Sequence, residues 1–351
     1  MTSERSTSAP RGPHRLSAEQ ATVRAAAALE AEGAGRDAAT LQAAHLTEAE
    51  LRGHTSHGLR RLPVLIERLR AGLIDPDAQP ELRWTADATL RVDGRRGFGP
   101  LTAYAAIDAL LQRSARTGVA VGALHHTHHL GMLAPYVERI AEAGCVGVVL
   151  SSTEGLVHPW GGSGALLGTN PLAVGVPVAQ APLTLDMSTG SVSAGKILDH
   201  LERGRPLPDG WAVDADGRPT RDPAEAVRGA ISPFGGSKGY ALGITLGAVV
   251  GVLTGTEFGL DVVGTLDAEH ETTKGDVIIV LRIEAFGQPA RSEGLAAYLE
   301  RVRASGVDGT RVRIPGDRAR QARADALADG FDVTDEVWEF LHRAAAAGSK
   351  A

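Results

Sequence analysis

Apolar positions recur at helical spacing near both ends of the chain and at mixed spacing in between. Leu62, Leu65 and Leu69 fall on one helical face, and residues 292–347 have a mostly helical pattern. The middle of the chain alternates short apolar runs of strand length with helices, which predicts an α/β fold with a mixed-sheet core. The predicted organisation is a flexible tail, a helical subdomain built from both termini, and an α/β domain: residues 1–15, residues 16–85 with 290–351, and residues 86–289.

The segment Val119–Pro171 contains a strand, a helix and a second strand in that order. Val119–Leu124 and Cys145–Leu150 are apolar runs, with a helical pattern between them that Gly144 ends. This order predicts a parallel pair of strands joined by a crossover. Ligands bind beyond the carboxyl ends of such strands, so we expect a site near the histidines that follow the first strand.

Local signals place the remaining elements. Ser17 and Gln20 predict a capping box before a helix from Ala18 to about Glu32, and Asp37 is a candidate cap for a second helix. Leu183–Met187 is predicted as a strand, with Asp186 near its end. A late strand is expected at Asp276–Ile283.

Charge and cysteine content narrow the class of protein. The 351 residues carry a formal charge of −6, with a pI near 6.1, and have no basic domain, so nucleic-acid binding is not expected. The single cysteine, Cys145, lies in a predicted strand and suits a reducing compartment. The first fifteen residues lack the apolar core of a secretory signal. We therefore expect a cytoplasmic protein.

The uncharged run from Gly239 to Thr256 has glycine at every fourth position. This spacing also occurs at the dimer faces of membrane helices. A helix packed tightly against a sheet or a partner subunit explains it better, because catalytic-looking segments lie on both sides, and no membrane partner is expected. Lys238 stands at the start of this helix behind a glycine-rich turn, where a phosphate could bind.

A serine, a histidine and two arginines gather just before the helix that contains Leu62. Ser56 and His57 lie at or just before its start, and Arg60 and Arg61 lie within one turn of them. Such a set can hold a carboxylate and supply a proton. The alternative is a capped helix with a solvated basic edge, and the residues alone leave both open.

The histidines at positions 125, 126, 128 and 129 raise the question of a metal site. His126 with His128, or His125 with His129, could chelate zinc, but no HExxH or cysteine pair accompanies them. Polar loop histidines, one of them acting as an acid–base group, are favoured, and no metal is assigned. The loop Gly162–Gly168 is not a Rossmann fingerprint, because it has the wrong glycine spacing and does not open a helix.

Six short motifs occur in an order that is specific as a set. They are Ser56-His57-Gly58 followed by Arg61, HHLG at 128–131, PWGG with GTNP at 159–162 and 168–171, LDMST at 185–189, GGSKGY at 235–240 and IPGD at 314–317. Over about residues 16–345 the chain thereby resembles the malate/L-lactate dehydrogenase family, non-Rossmann oxidoreductases that use NAD or NADP. The family includes ureidoglycolate and sulfolactate dehydrogenases and reductases of cyclic imino acids.

The resemblance implies a distinct, non-Rossmann malate/L-lactate dehydrogenase-like fold, an intimate homodimer and a role for each matching residue. His57, oriented by Ser56 and Asp186, resembles the proton donor of the imine-reducing members, and His129 resembles the acid–base histidine of the hydroxy-acid dehydrogenases. Arg61 resembles the clamp for the substrate carboxylate, and Thr169 a residue of the substrate pocket. The residues that resemble cofactor contacts are Thr153, Met187, Ser188, Thr189, Lys238, Gly316 and Asp317.

The expected function is reduction of a small 2-oxo acid by NADH or NADPH, or the reverse reaction. Reduction of a cyclic 2-imino acid such as Δ1-piperideine-2-carboxylate is the alternative, and a metal-binding or non-catalytic relative is the alternative of another class. Three departures from the family pattern bear on the substrate: residues 126–128 in place of Asn-Ser-Asn, Gly190 in place of a serine, and Asp276 in place of a histidine.

Overall fold

The computed structural model describes residues 14–287 and 291–348, so residues 1–13 of the predicted tail lie outside the described part. The helices are α1 Ala18–Glu30, α2 Arg36–Leu51, α3 Leu62–Arg70, α4 Gly99–Thr117, α5 Ala134–Glu142, α6 Ala194–Glu202, α7 Pro223–Arg228, α8 Ser237–Thr254, α9 Ser292–Arg303, α10 Asp317–Asp329 and α11 Asp335–Gly348. The strands are β1 His14–Leu16, β2 Glu81–Ala86, β3 Thr89–Asp93, β4 Val119–His125, β5 Cys145–Ser151, β6 Gly155–Val157, β7 Leu167–Gly168, β8 Leu172–Val176, β9 Leu183–Met187, β10 Ala212–Val213, β11 Pro219–Thr220, β12 Ala230–Ile231, β13 Asp276–Arg282 and β14 Phe331–Val333.

The first two helices begin in different ways. The capping box before α1 is present, because Ser17 Oγ accepts from the Gln20 amide and the Gln20 side chain accepts from the Ser17 amide. The predicted cap at Asp37 is wrong. Helix α2 begins two residues earlier than a cap at Asp37 predicts, at Arg36 behind Gly35, which offers no side-chain cap. Asp37 lies inside its first turn, where its charge suits the helix dipole.

The central sheet has seven strands in the order β2-β3-β4-β13-β5-β8-β9. Strands β4 and β5 run in the same direction, as the sequence predicted, but they are not neighbours. Strand β13 lies between them and is antiparallel to both, with Ile278 opposite Gly122 on one side and Val149 on the other. The predicted parallel pair is therefore wrong in its pairing. Because β13 is an apolar run, it can occupy an inner position of the sheet. The order of residues around β4 and β5 does not indicate that a strand more than 120 residues later pairs between them.

Residues from the two ends of the chain share one apolar core. Strand β1 pairs with β14, and Leu16, Leu29 and Leu341 are all buried in the same cluster. His14 and Arg15, placed in the predicted tail, belong to β1. The boundaries at residues 85 and 290 stay predictions. Strand β2 spans the first of them and pairs in the central sheet.

Helix α8 packs its glycines against the segments that carry the LDMST and GTNP motifs. A Cβ on Gly243 would lie 2.7 Å from Thr189 Oγ1, and one on Gly247 would lie 2.6 Å from Asn170 Nδ2. Asn170 Nδ2 also donates to the Gly243 carbonyl at 3.0 Å. Within the described ranges, α8 is the one helix long and apolar enough to cross a membrane. Its glycine stripe is explained by close packing within the chain.

Candidate active site

Two histidines from separate segments stack beyond the carboxyl end of β4, an inner strand of the central sheet. His57 ends a short 3-10 turn before α3, and His129 follows β4. Their ring centroids are 5.2 Å apart, with 14° between the planes, and both side chains are half-buried. We call these residues the stacked pair. The sequence predicted both as site residues, and the structure brings them into contact.

The surroundings keep both rings of the stacked pair neutral at pH 7. Desolvation lowers the pKa of His57 to about 4, with the charge of Arg61 as the next cause. Desolvation and then Arg61 also lower the pKa of His129 well below its ordinary value. Arg61 is therefore electrostatically coupled to both rings.

A backbone contact determines the tautomer of His129. The Gly131 amide donates to His129 Nδ1 at 3.2 Å, so the proton of the neutral ring is on Nε2. Gly131 has a φ of 75°, a left-handed conformation that favours glycine. The glycine of the HHLG motif thus orients the preceding histidine as a hydrogen-bond donor.

Arg61 carries a positive charge whose hydrogen-bonding capacity is not filled by the described residues. One terminal nitrogen donates to the Thr265 carbonyl, but the buried Nε has no partner. Desolvation lowers the pKa of Arg61 to about 10, and the charge of Glu154 partly offsets this. A guanidinium in this state fits an incoming carboxylate.

The predicted orientation of His57 by Asp186 and Ser56 is not found. Asp186 Oδ2 accepts from the amides of Leu133 and Ala134 at 2.9 and 2.8 Å, at the first turn of α5. In the described part of the chain, His57 Nδ1 is buried without a partner. The carboxylate instead stabilises the start of α5, where amides are free and the dipole favours an anion. Ser56 faces Gly195, on which a Cβ would lie 3.2 Å from Ser56 Cβ.

Three threonines predicted around the substrate and cofactor form one hydrogen-bonded group. Thr153 Oγ1 lies 3.2 Å from Thr169 Oγ1 and accepts from the Thr169 amide at 2.8 Å. Thr189 Oγ1 donates to the Thr169 carbonyl at 2.8 Å. Met187 and Ser188 precede Thr189 and are half-buried. Loops from three parts of the chain are thereby joined beside α8.

The remaining predicted cofactor residues lie in two places. Lys238 is exposed in the first turn of α8, and the turn before it reaches Thr189 through the Phe234 amide. Gly316 and Asp317 begin α10, where Asp317 lines a cavity of about 810 Å³. Arg303 and Arg320 donate to Asp317, and the Arg303 hydrogen bond, against a smaller effect of burial, lowers the pKa of that carboxyl. No hydrogen bond in the described ranges joins Asp317 to the threonine group.

The sequence missed a buried carboxyl behind His57. Glu50 Oε1 accepts from the Leu59 amide at 2.7 Å, and burial raises the pKa of Glu50 to about 7. A Cβ on Gly58 would overlap this carboxylate, which explains the glycine of the SHG motif. No sequence signal marks Glu50 itself.

A buried ion pair accompanies the departure at Asp276. Its Oδ2 pairs with Lys274 Nζ, both side chains are buried, and Lys274 contributes to lowering the pKa of His129. In the sequence, Lys274 two residues before Asp276 is the feature that indicates this ion pair.

The histidine pairs considered for zinc do not come together. His128 Nε2 contacts the Leu73 carbonyl at 2.9 Å, and His129 belongs to the stacked pair. His125 and His126 instead face each other and Asp93.

Comparisons with known proteins identify relatives along almost the whole chain. The family described as malate/L-lactate dehydrogenase matches residues 16–342. Malate/(S)-sulfolactate dehydrogenase of Methanothermus fervidus is 32% identical over 89% of this chain and 92% of its own length. (2R)-3-Sulfolactate dehydrogenase (NADP(+)) of Chromohalobacter salexigens is 33% identical over 92% and 96%. A Δ1-pyrroline-2-carboxylate/Δ1-piperideine-2-carboxylate reductase of Pseudomonas putida is 34% identical over 88% and 90%.

A solved structure shows the same architecture. A dehydrogenase from Sinorhizobium meliloti superposes with a TM-score of 0.90 at 44% identity, covering 94% of this chain and 98% of that one. These matches confirm the predicted fold class and the assignment as a dehydrogenase or reductase that uses NAD or NADP. The chain belongs to the malate/L-lactate dehydrogenase family.

Proposed function

We propose that this chain interconverts a small 2-oxo acid and the corresponding 2-hydroxy acid, with Arg61 and His129 as its substrate-facing residues. The observation that carries this assignment is that Arg61 Nε has no hydrogen-bond partner in the described ranges, while the charge of Arg61 acts on His129, whose proton is on Nε2. The pair offers an anion site and a donor close to it. A carboxylate next to a carbonyl matches both.

Arg61 binds and orients the substrate. Its partly desolvated guanidinium has donors to spare, so a carboxylate gains charge-assisted hydrogen bonds there that water would weaken elsewhere. Fixing the carboxylate also fixes the adjacent carbonyl carbon, which reduces the entropic part of the barrier.

His129 handles the proton. In the free site Arg61 helps to hold the pKa of His129 down, and a bound carboxylate offsets that charge, so the pKa of the ring rises when substrate binds. The Nε2–H donates to the carbonyl oxygen and stabilises the negative charge that develops on it during reduction. For this proton to be transferred, the ring first takes up a second proton from solvent on Nδ1 as the bound carboxylate raises its pKa, which displaces the Gly131 amide. Transfer of the Nε2 proton to the oxygen then completes the hydroxyl group and leaves a neutral imidazole.

The nicotinamide cofactor supplies the hydride when it is bound. Positively charged side chains lie in two places: Lys238 is exposed at the start of α8, and Arg303, Arg311, Arg313 and Arg320 line the cavity beside Gly316 and Asp317. These groups suit the phosphates of a dinucleotide. Thr153 precedes Glu154, whose carboxylate accepts from the Thr265 amide, and Arg61 donates to the Thr265 carbonyl. We therefore assign Thr153, Met187, Ser188 and Thr189 to the nicotinamide end.

Reduction of a cyclic 2-imino acid is the second candidate, because a relative with that activity is as similar as the sulfolactate dehydrogenases. His57 would then be the proton donor. Among the described residues, His57 Nδ1 has no hydrogen-bond partner, and this favours the 2-oxo acid assignment, since a donor histidine needs a partner that fixes its tautomer.

The test follows nicotinamide absorbance while NADH and NADPH are each offered with pyruvate, oxaloacetate, sulfopyruvate, Δ1-pyrroline-2-carboxylate and Δ1-piperideine-2-carboxylate. We expect turnover with a 2-oxo acid, abolished mainly by His129→Ala. Turnover restricted to the imino acids, with His57→Ala the more damaging change, would replace the first assignment by the second.

We also propose that the chain functions as a homodimer through the outer face of α8. Ile244, Val252 and Leu253 are 46%, 73% and 54% exposed on that helix. Neighbouring exposed apolar side chains of this kind favour burial against another protein surface. A second copy of the same chain satisfies this need symmetrically.

The dimer is tested by light scattering after size exclusion. Val252→Glu should produce monomer, whereas Val307→Glu, at a similarly exposed valine (76%) in a 3-10 turn away from α8, should leave the wild-type mass. Equal mass for both variants would exclude this face. A cytoplasmic location is proposed on the single buried cysteine, Cys145, and cell fractionation tests it.

A further inference from the structure

We propose that Asp93, His125 and His126 form a binding site for a divalent transition metal such as Zn²⁺ at the rim of the central sheet, separate from the stacked pair. This inference does not depend on the proposed substrate. We call His125 and His126 the rim pair.

The three side chains converge because two neighbouring strands end together. Strands β3 and β4 are parallel, and Asp93 is the register partner of His125. His126 follows with a φ of 49°, a left-handed conformation that costs free energy for a residue with a Cβ. That conformation brings its ring against the His125 ring, with centroids 4.6 Å apart.

The ligand atoms have the spacing of a metal site. His125 Nδ1 and His126 Nδ1 are 3.2 Å apart, and Asp93 Oδ1 lies 3.2 Å from the second and 3.9 Å from the first. A point equidistant from the three atoms lies about 2.0 Å from each, which is the length of zinc bonds to imidazole nitrogen and carboxylate oxygen. The His126 ring is 62% exposed, so water can complete the coordination.

The hydrogen bonds of the free cluster leave one unfavourable contact. Arg91 Nε donates to His125 Nε2 at 2.8 Å, so the His125 proton is on Nδ1 and can only be directed at His126 Nδ1 or Asp93. If it is donated to His126 Nδ1, the lone pair there faces a carboxylate oxygen at 3.2 Å. A cation between the three atoms removes this conflict, because each of them then presents a lone pair to it.

Arg91 opposes the metal in the free protein. Its guanidinium is close to the site and stabilises the tautomer of His125 that cannot bind through Nδ1. Binding therefore requires a proton to leave Nδ1 and the exposed Arg91 side chain to move away. Imidazole with one carboxylate suits Zn²⁺, Cu²⁺ and Ni²⁺ better than Mg²⁺ or Ca²⁺.

The test measures zinc affinity by competition with a chromophoric chelator, on full-length protein without a histidine tag. We expect one equivalent bound by the wild type and at least tenfold weaker binding in His126→Ala. His270→Ala is the matched control, since that exposed ring also lies 3.2 Å from a carboxylate, of Asp267, but has no second histidine within the described set of possible ligands. It should bind as the wild type does.

Two further readouts keep the inference falsifiable. Arg91→Ala should tighten zinc binding several-fold, and the nitrogen hyperfine pattern of bound Cu²⁺ should change from two imidazoles to one in His126→Ala. Equal zinc affinity of the wild type and His126→Ala, or no binding by either, overturns the site. An unchanged affinity in Arg91→Ala overturns His125 Nδ1 as a ligand. Reductase activity of these variants reports separately on the proposed function.

Discussion

His129 of the stacked pair lies three residues after His126 of the rim pair, yet the charged groups that surround the two pairs have opposite signs. His57 and His129 face the cation of Arg61 and are held neutral, with an anion-binding group beside them. His125 and His126 face the carboxylate of Asp93, with ring nitrogens directed at a shared point. A histidine-rich motif therefore does not specify its chemistry, and the charge of the nearest fixed partner does.

The largest effect should separate the two pairs by catalysis. His129→Ala removes the proposed proton donor and should lower kcat by about 10²–10⁴-fold. His126→Ala changes a ring that takes no part in the reaction and should stay within about twofold of the wild type. Steady-state kinetics with the preferred 2-oxo acid measures both. A comparable loss in the two variants would show that the loop as a whole, rather than one ring, determines activity.

The second prediction tests the role of the cation beside the stacked pair. Arg61→Ala should raise KM for the carboxylate substrate by about 10–100-fold, because a hydrogen bond to a charged group contributes about 1.5–3 kcal/mol. The neighbouring Arg60, which lies 3.6 Å from Glu202, provides the control, and Arg60→Ala should leave KM near its wild-type value. If KM rises equally in both variants, the clamp is not specific to Arg61.

The third prediction compares the pairs by the pH dependence of stability. The pKa of folded His57 is about 4 and lies below that of the unfolded chain, so the unfolded state takes up the proton first and stability falls as the pH drops from about 6.5 to 4. For a half-buried ring, the free energy of unfolding lost over this pH range is about 2 kcal/mol. His57→Gln should flatten the loss of unfolding free energy in denaturant titrations.

The control for that measurement is His126→Gln, which replaces the mostly exposed ring of the rim pair. A flattened curve in His126→Gln and not in His57→Gln would reverse the electrostatic distinction between the pairs.

The smallest expected effect concerns the cofactor. Lys238→Ala should weaken NADH or NADPH binding about three- to fivefold, since an exposed cation at a helix start contributes up to about 1 kcal/mol to holding an anion. Fluorescence titration gives the Kd, and Arg36→Ala, at an exposed arginine in the first turn of α2, is the control. An unchanged Kd for Lys238→Ala would remove this residue from the proposed cofactor site.

The sequence predicted local structure more accurately than it predicted contacts. Strand β9 is found at the predicted residues, and the capping box at Ser17 is present, because both depend on neighbours in the chain. The position of β13 and the role of Asp186 depend on pairing between distant segments, which periodicity does not encode. Motif resemblance predicted His57, His129 and Arg61 as site residues, but only the fold shows that Asp186 accepts from the Leu133 and Ala134 amides.

The position of β13 also has a consequence for how the protein is made. Strands β4 and β5 are synthesised early, but the strand that joins them begins at residue 276, after about four-fifths of the chain. Until β13 is synthesised, β4 and β5 each expose the edge with which it will pair. The loops that follow β4 and β5 cannot take up their final positions before then. A nascent chain stalled before residue 276 would expose two unpaired strand edges that can pair with other chains. Chaperone protection should therefore matter most until the last fifth of the chain has been synthesised.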